Sequence, residues 1–175
     1  MAFGSNSEVV RSGNWYGNDT IWRTVLDLNR CLFYFDGEGK SRTAPLKYMT
    51  IVDGVIGGDG NGPMSPDPLN SGILVAGFNP VAVDSVCAVL MGFDYRKIPS
   101  LANAWRESEH PLVSLRPEHV SCRSAIIEWN GSLNELERAP HLHFNPHFGW
   151  AGHIECAALN VCANPADPTM QSWRR

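Results

Sequence analysis

The sequence predicts an α/β domain with a small buried sheet flanked by helices and followed by an irregular C-terminal tail. The basis is an alternation of β-prone and helical segments: Tyr48–Val52, Gly72–Gly77, Thr20–Phe33 and Pro80–Met91. With 175 residues, 43% of them hydrophobic and 18% charged, the chain has enough apolar material for one core. We predict a single domain over residues 1–175, with the loop-rich tail over residues 136–175.

Composition narrows the range of partners and locations. The formal net charge is −4 and the Lys and Arg residues form no run, so no nucleic-acid-binding face is expected. No apolar run approaches the roughly 18 residues of a membrane span, and no signal-peptide pattern is visible. The 5 cysteines are odd in number and widely spaced, unlike those of a disulfide scaffold. A cytoplasmic location is the default expectation.

The first helix is predicted to begin after Asp19, because aspartate favours the N-cap position, and to cover Thr20–Phe33. Its apolar residues recur at roughly helical spacing. Asp27, Asn29 and Arg30 lie on or beside that apolar face. Buried polar groups need partners, so these three either form an internal network or line a site.

The two β-prone runs are predicted to lie inside the sheet. Tyr48–Val52 is predicted to be a central strand that ends at Asp53. Gly72–Gly77 is apolar throughout, a pattern typical of a strand buried on both faces. Between them, the 3 prolines of Pro63–Asn70 predict irregular backbone.

The second helix has clear boundary signals. Asn79 is a favourable N-cap, Pro80 occupies the first helical position, and Gly92 follows the last residue, Met91. Asp84 is a single carboxylate on this apolar helix, and structural and functional roles for it remain equally open. Later elements are predicted at Ser100–Glu107 (helix), Val120–Trp129 (strand) and Asn130-Gly131 (turn).

The stretch Asp53–Pro63 is the main candidate for a functional site. It holds 5 glycines beside acidic and amide side chains, and glycine lets a ligand approach the backbone. The P-loop, dinucleotide and EF-hand patterns all fail on spacing, so a small anion, a divalent cation or a plain structural loop remain open. The candidate catalytic groups are Asp53, Asp59 and Asp84, and the candidate ligand-binding residues are Gly58, Gly60, Asn61, Gly62, Asn79, Asn18 and Arg23.

The tail holds a second group of potential ligands. They are His141, His143, His147, His153, Cys156 and Cys162. Their spacing matches no standard zinc motif, and clustered histidines are often simply exposed, which is what we expect here. The identity of any metal stays open.

Several segments act together as a family signature: Asn14–Arg23, Asp27–Arg30, Val52–Gly54, Gly60–Pro63, Gly77–Asp84, Leu90–Asp94 and Gly149–Glu155. In combination they resemble the family catalogued as domain of unknown function 362. The resemblance implies bacterial or archaeal proteins with an α/β core, some of them fused to ferredoxin-type iron–sulfur modules. It implies no agreed reaction.

Three departures from the family pattern matter. Relatives usually have a longer N-terminal half, so this chain resembles the C-terminal half alone. The Cys-x2-Cys-x2-Cys run of the fused members is absent, so no iron–sulfur cluster is expected here. Asp59 stands where relatives commonly have glutamate.

Two functions from different classes follow. The first is a ligand-binding domain, in its specific form a metal-dependent enzyme acting on a small anionic ligand. The second is a non-catalytic module or partial domain associated with iron–sulfur redox proteins, in which a protein partner or a second copy covers the missing half. The second function predicts exposed apolar surface in the isolated chain.

Overall fold

The structure, a computed structural model, describes residues 15–156, so Cys162 lies outside it. In chain order the elements are α1 (Ile21–Tyr34), β1 (Thr50–Gly54), β2 (Gly57–Asn61), β3 (Ser65–Leu69), β4 (Ile73–Gly77), α2 (Pro80–Met91), α3 (Pro99–Ala104), β5 (Ser121–Cys122), β6 (Gly131–Ser132) and α4 (Leu133–Leu136). Helices and small antiparallel sheets alternate, which confirms the predicted α/β class. None of the helices in this part of the chain combines the length and apolar character that crossing a bilayer requires.

β1 and β4 form a two-stranded antiparallel unit, called the ribbon from here on, with Val52 opposite Val75. Its inner face is partly buried, whereas its outer face, which carries Ile51 and Leu74, is exposed. The predictions of a central β1 and of a β4 buried on both faces are therefore wrong. An antiparallel sheet needs cover on one face only, so an apolar run alone does not show double burial.

The β2–β3 hairpin corrects the prediction that Pro63–Asn70 is irregular. Pro66 lies opposite Gly60 and Pro68 lies opposite Gly58. In an antiparallel pair, alternate residues direct their N–H groups towards the partner strand. Two prolines spaced by two residues can therefore both face the free edge, where a missing donor is tolerated.

α2 has the predicted boundaries and lies under the ribbon. The Asn79 side-chain oxygen accepts a hydrogen bond from the Ala82 N–H at 3.0 Å, and Gly92 ends the helix with φ of 94°. A Cβ at Gly77 would lie 2.7 Å from Val83 Cγ2, so glycine permits close packing of β4 on the helix. α2 contributes Val86, Val89 and Leu90 to the main core, which also contains Trp129, Leu133 and Trp150.

α1 packs against a smaller core through Leu26 and Phe33. The Asn18 side-chain oxygen, not that of Asp19 as predicted, accepts hydrogen bonds from the first amides, Thr20 and Ile21, both at 3.0 Å. Asp19 points to solvent and binds other side chains instead.

Of the polar set on α1, Asp27 is exposed, whereas Asn29 and Arg30 are half-buried. Arg30 forms an ion pair with Asp27 at 3.0 Å, and Asn29 donates to the Val25 carbonyl at 2.8 Å. The Asp27 carboxylate is solvent-exposed, so the predicted internal network is wrong. Local spacing placed these residues near the apolar face, but the core covers only a narrow stripe of the helix.

The remaining elements are shorter than predicted. α3 ends at Ala104 instead of Glu107. Within Val120–Trp129, only Ser121–Cys122 forms a strand, and Ile127–Trp129 is a 3₁₀ turn. The Asn130 side chain bonds the Ser124 amide and carbonyl, both at 3.0 Å, and so holds this segment in a closed loop.

Candidate functional site

The glycine-rich hairpin docks on the segment His141–Trp150, called the docking segment from here on. The Asp59 carboxylate accepts hydrogen bonds from the Asn145 backbone N–H and from Asn145 Nδ2, the latter at 2.7 Å. The Gly60 N–H donates to the Asn145 carbonyl at 3.0 Å, and the Phe148 N–H donates to Asn61 Oδ1 at 3.4 Å. Asp59 and Asn145 are 86 residues apart in the chain, so their pairing joins distant segments.

The glycines of the hairpin permit this docking. A Cβ at Gly57 would lie 2.5 Å from Phe144 Cζ, so a larger residue would displace the Phe144 ring. Gly60 has φ of 68°, a conformation that L side chains rarely adopt. At Gly58 and Gly62, an added Cβ would lie 3.1 and 3.7 Å from Pro66 Cβ on the facing strand. Gly57, Gly58 and Gly60 therefore have structural roles, whereas a Cβ at Gly62 would make only an ordinary contact. Ligand contact by the amides of these glycines remains a prediction.

Asp53 lies on the outer face of the ribbon, opposite Leu74. Its Oδ1 accepts a hydrogen bond from the Val55 N–H at 3.1 Å, which closes a local turn after β1. The side chain is otherwise exposed. Asp53 and Asp59 are thus engaged by different parts of the chain.

Asp84 lies on α2 in an environment of its own, near Tyr48 and Cys87. Neighbouring atoms partly desolvate its carboxyl group and raise its pKa, although the residue as a whole is exposed to solvent. Burial first and the Asp84 charge second raise the pKa of Tyr48 to about 12 and that of Cys87 to about 11. Neither Asp53 nor Asp59 contributes to the Asp84 shift.

Asp53 and Asp59 therefore bond different segments, the Val55 amide and Asn145, while Asp84 lies on α2. Across residues 15–156, no three His, Cys, Asp or Glu side chains group as metal ligands would. A shared catalytic role for Asp53, Asp59 and Asp84 remains a prediction.

The other ligand-binding candidates lie at or near the N-termini of helices. Asn79 caps α2, and its Nδ2 donates to the Leu112 carbonyl at 3.1 Å. Asn18 serves the start of α1. Arg23 pairs with Asp19 at 2.9 Å and lies over the Trp22 ring, 4.4 Å from its centroid. These contacts explain all three residues structurally.

The docking segment carries two closely apposed histidines. The rings of His141 and His143 are 4.1 Å apart, and both residues are half-buried where exposed side chains were expected. Within the described part of the chain, His141 Nδ1 and His143 Nε2 are buried without a hydrogen-bond partner. Burial first and the neighbouring His143 second lower the pKa of His141.

No pattern in the sequence indicates the residues that complete this region. Asn145 and Phe144 hold the hairpin, but no local pattern indicates a contact across so many residues. The sequence predicts Tyr48 in a strand, whereas the strand begins at Thr50 and the Tyr48 ring lies beside Phe33. The charge of Asp84 contributes to the raised pKa of the Tyr48 hydroxyl. Only the three-dimensional fold brings these groups together.

Fold and site together define a small α/β domain with a docked glycine-rich hairpin and an open two-stranded ribbon. Residues 4–89 match the family model described as Domain of unknown function (DUF362). The chain therefore contains a DUF362-like domain, as its motifs predicted.

A comparison with curated proteins agrees with this assignment. The chain is 35% identical over 88 residues to Thylakoid-associated protein sll1697 from Synechocystis sp.. That match covers 50% of this chain and 27% of the relative, so it spans about a quarter of the relative's length. No solved structure matches the chain.

Proposed function

We propose that this domain is a non-catalytic docking module that binds a further polypeptide through the outer face of the ribbon. The main support for this proposal is the solvent exposure of large apolar residues. The exposed fraction is 61% for Ile51, 64% for Ile56 and 69% for Leu74. Soluble monomers rarely expose contiguous apolar patches without a binding role. An isolated pair of strands is also only marginally stable in water, so a partner on this face would stabilise the ribbon.

α1 supports the same function. Val25, Leu28 and Leu32 are all exposed, and their spacing places them along one stripe of the helix. In its finer form, the proposal is that the bound polypeptide belongs to an iron–sulfur redox protein.

The purified chain tests this function. We expect it to bind a dye for apolar surfaces and to self-associate in sedimentation experiments. The double variant Ile51→Ser/Leu74→Ser should lower both signals several-fold, whereas Ile127→Ser, an equally exposed position outside the ribbon, should leave them unchanged. A clean wild-type monomer with low dye binding and cooperative unfolding would overturn the proposal.

A second candidate function is ligand binding at the docked hairpin, with a divalent cation or small anion as ligand and Asp53, Asp59 and Asp84 as acidic groups. The observation that favours it is the pair of unpartnered nitrogens on His141 and His143, in the segment that Asp59 binds. Buried polar atoms usually have partners, so unmet ones indicate room for a polar group. Calorimetry with Mg²⁺, Ca²⁺ and Mn²⁺ on wild type and Asp59→Ala tests it. Absence of binding to the wild type removes the metal form.

A further inference from the structure

A groove of about 910 Å³ runs along β4. Every residue from Gly72 to Asn79 lines it. Side chains of a strand alternate between its two faces, so a cavity that touches every residue lies against the backbone edge. The opposite wall is the continuous run His119–Ile126, and α2 forms the floor through residues that include Val83 and Val86.

Within residues 15–156, backbone groups on the edge of β4 in this groove have no hydrogen-bond partner. The Gly72 N–H donates to the Val55 carbonyl at 3.0 Å, which fixes the alternation of the ladder. Leu74 and Ala76 then exchange hydrogen bonds with β1, whereas Ile73, Val75 and Gly77 direct their N–H and C=O groups into the groove. Among the described residues, β1 is the only strand that pairs with β4.

One permanently charged side chain, Arg123, lines the groove, and none of the described residues that line it is Asp or Glu. Within residues 15–156, Arg123 has no carboxylate partner. An occupant with an acidic group would therefore complement this wall.

We propose that the groove binds an extended polypeptide strand of a partner, which pairs with β4 and places an acidic side chain beside Arg123. Strand addition to a free sheet edge is a common mode of peptide recognition, in which the backbone supplies affinity and alternate side chains supply specificity. The β4 residues that line the groove include Leu74 and Phe78, both exposed, so groove and outer face form one continuous surface. The proposal rests on the docking function and names its occupant.

The shape of the groove favours a strand over a compact ligand. Its two long walls are backbone runs, and a strand between them would form hydrogen bonds along the whole length of β4. The α2 floor is apolar at Ala82, Val83 and Val86, which suits the inward-facing side chains of an alternating sequence. A small molecule is the competing occupant, and the test separates the two.

The probe is a fluorescein-labelled peptide, Glu-Val-Thr-Val-Thr-Val-Glu, added to the full chain and followed by fluorescence anisotropy. Two further peptides serve as controls, one N-methylated at alternate amides and one with Lys in place of both Glu residues. We expect each control peptide to bind the wild-type protein about tenfold more weakly than the probe does, equivalent to about 1.4 kcal/mol. The variant Arg123→Glu should bind the probe about tenfold more weakly than the wild-type protein does. Arg116→Glu, outside the groove, should bind the probe as wild type does.

Amide hydrogen exchange gives a readout that side-chain contacts would not produce. With the probe bound, the amides of Val75 and Gly77 should exchange several-fold more slowly, while those of Leu74 and Ala76, already bonded to β1, should change little. Failure of the unmodified probe to bind, or equal binding of the N-methylated peptide, overturns the proposal. A chain that still self-associates through Ile51 and Leu74 in that case keeps its docking function and loses only the groove.

Discussion

Asn79 illustrates how one side chain can join two parts of the fold. Its oxygen caps α2 and its nitrogen binds the Leu112 carbonyl, so one amide group satisfies both an N–H and a carbonyl. We expect Asn79→Ala to lower the free energy of unfolding by about 1–2 kcal/mol, measured by urea denaturation. Asn79→Asp keeps the cap and loses only the Leu112 contact, so it should cost less. Equal stability of wild type and Asn79→Ala would contradict this role.

Asp84 should lower stability at neutral pH. Its pKa in the folded protein is raised by burial above the ordinary 3.8, so the folded state binds the proton more tightly than the unfolded state does. Stability therefore falls as the pH rises through 3.8 towards the raised value, and the full cost is present above it. We expect Asp84→Asn to raise the free energy of unfolding at neutral pH and to change it little below the ordinary pKa.

Asp67→Asn is the matched control for Asp84→Asn, because Asp67 is an exposed carboxylate on β3. A variant Asp84→Asn that is no more stable than wild type at neutral pH would show that the carboxylate has a compensating partner. At the residue scale, the sequence predicts a cost for this carboxylate on an apolar helix, and the raised pKa of Asp84 agrees with it in direction. It could not identify Tyr48 and Cys87 as neighbours, because they are adjacent only in the fold.

Among the elements, the β2–β3 hairpin depends on contacts outside itself. Asp59 lies opposite Asp67, a like-charge pair that weakens the hairpin, while Asp59 alone bonds Asn145. We expect Asp59→Ala to raise the hydrogen-exchange rates of the Asn145 and Gly60 amides at least several-fold, because the hairpin separates from the docking segment. Asp67→Ala should leave both amides protected. Unchanged exchange in Asp59→Ala would contradict the docking role of this carboxylate.

Elements whose signals are local were predictable. Asn79, Pro80 and Gly92 fix the ends of α2 through their own backbone preferences. The burial of β4 was not predictable, because an apolar run reports the side chains and not what covers them. Likewise, Pro66 and Pro68 excluded a central strand but not an edge strand.

At the scale of the whole molecule, the docking segment closes the fold by linking α2 to the glycine-rich hairpin. Its Leu142 N–H donates to the Leu90 carbonyl at 2.7 Å and its Phe144 N–H donates to the Met91 carbonyl at 3.0 Å, so it is tied to the end of α2. Asn145 and Phe148 tie the same segment to the hairpin. The sequence predicts a tail rich in potential ligands, and in the structure the docking segment joins two elements of the fold. Loss of its hydrogen bonds would affect both elements at once.

His141, in the docking segment, should make the stability of the folded protein sensitive to acid. Its folded pKa lies below the ordinary 6.5, because burial and His143 disfavour the charged ring. On acidification the unfolded chain takes up this proton first, so stability is constant well above 6.5 and falls as the pH drops through that value. We expect His141→Gln to flatten the fall in unfolding free energy between neutral and mildly acidic pH, measured by urea denaturation at each pH. His153→Gln, at an exposed ring that stacks on Tyr16, should retain the wild-type slope, and an equal slope in all three proteins would remove His141 as the cause.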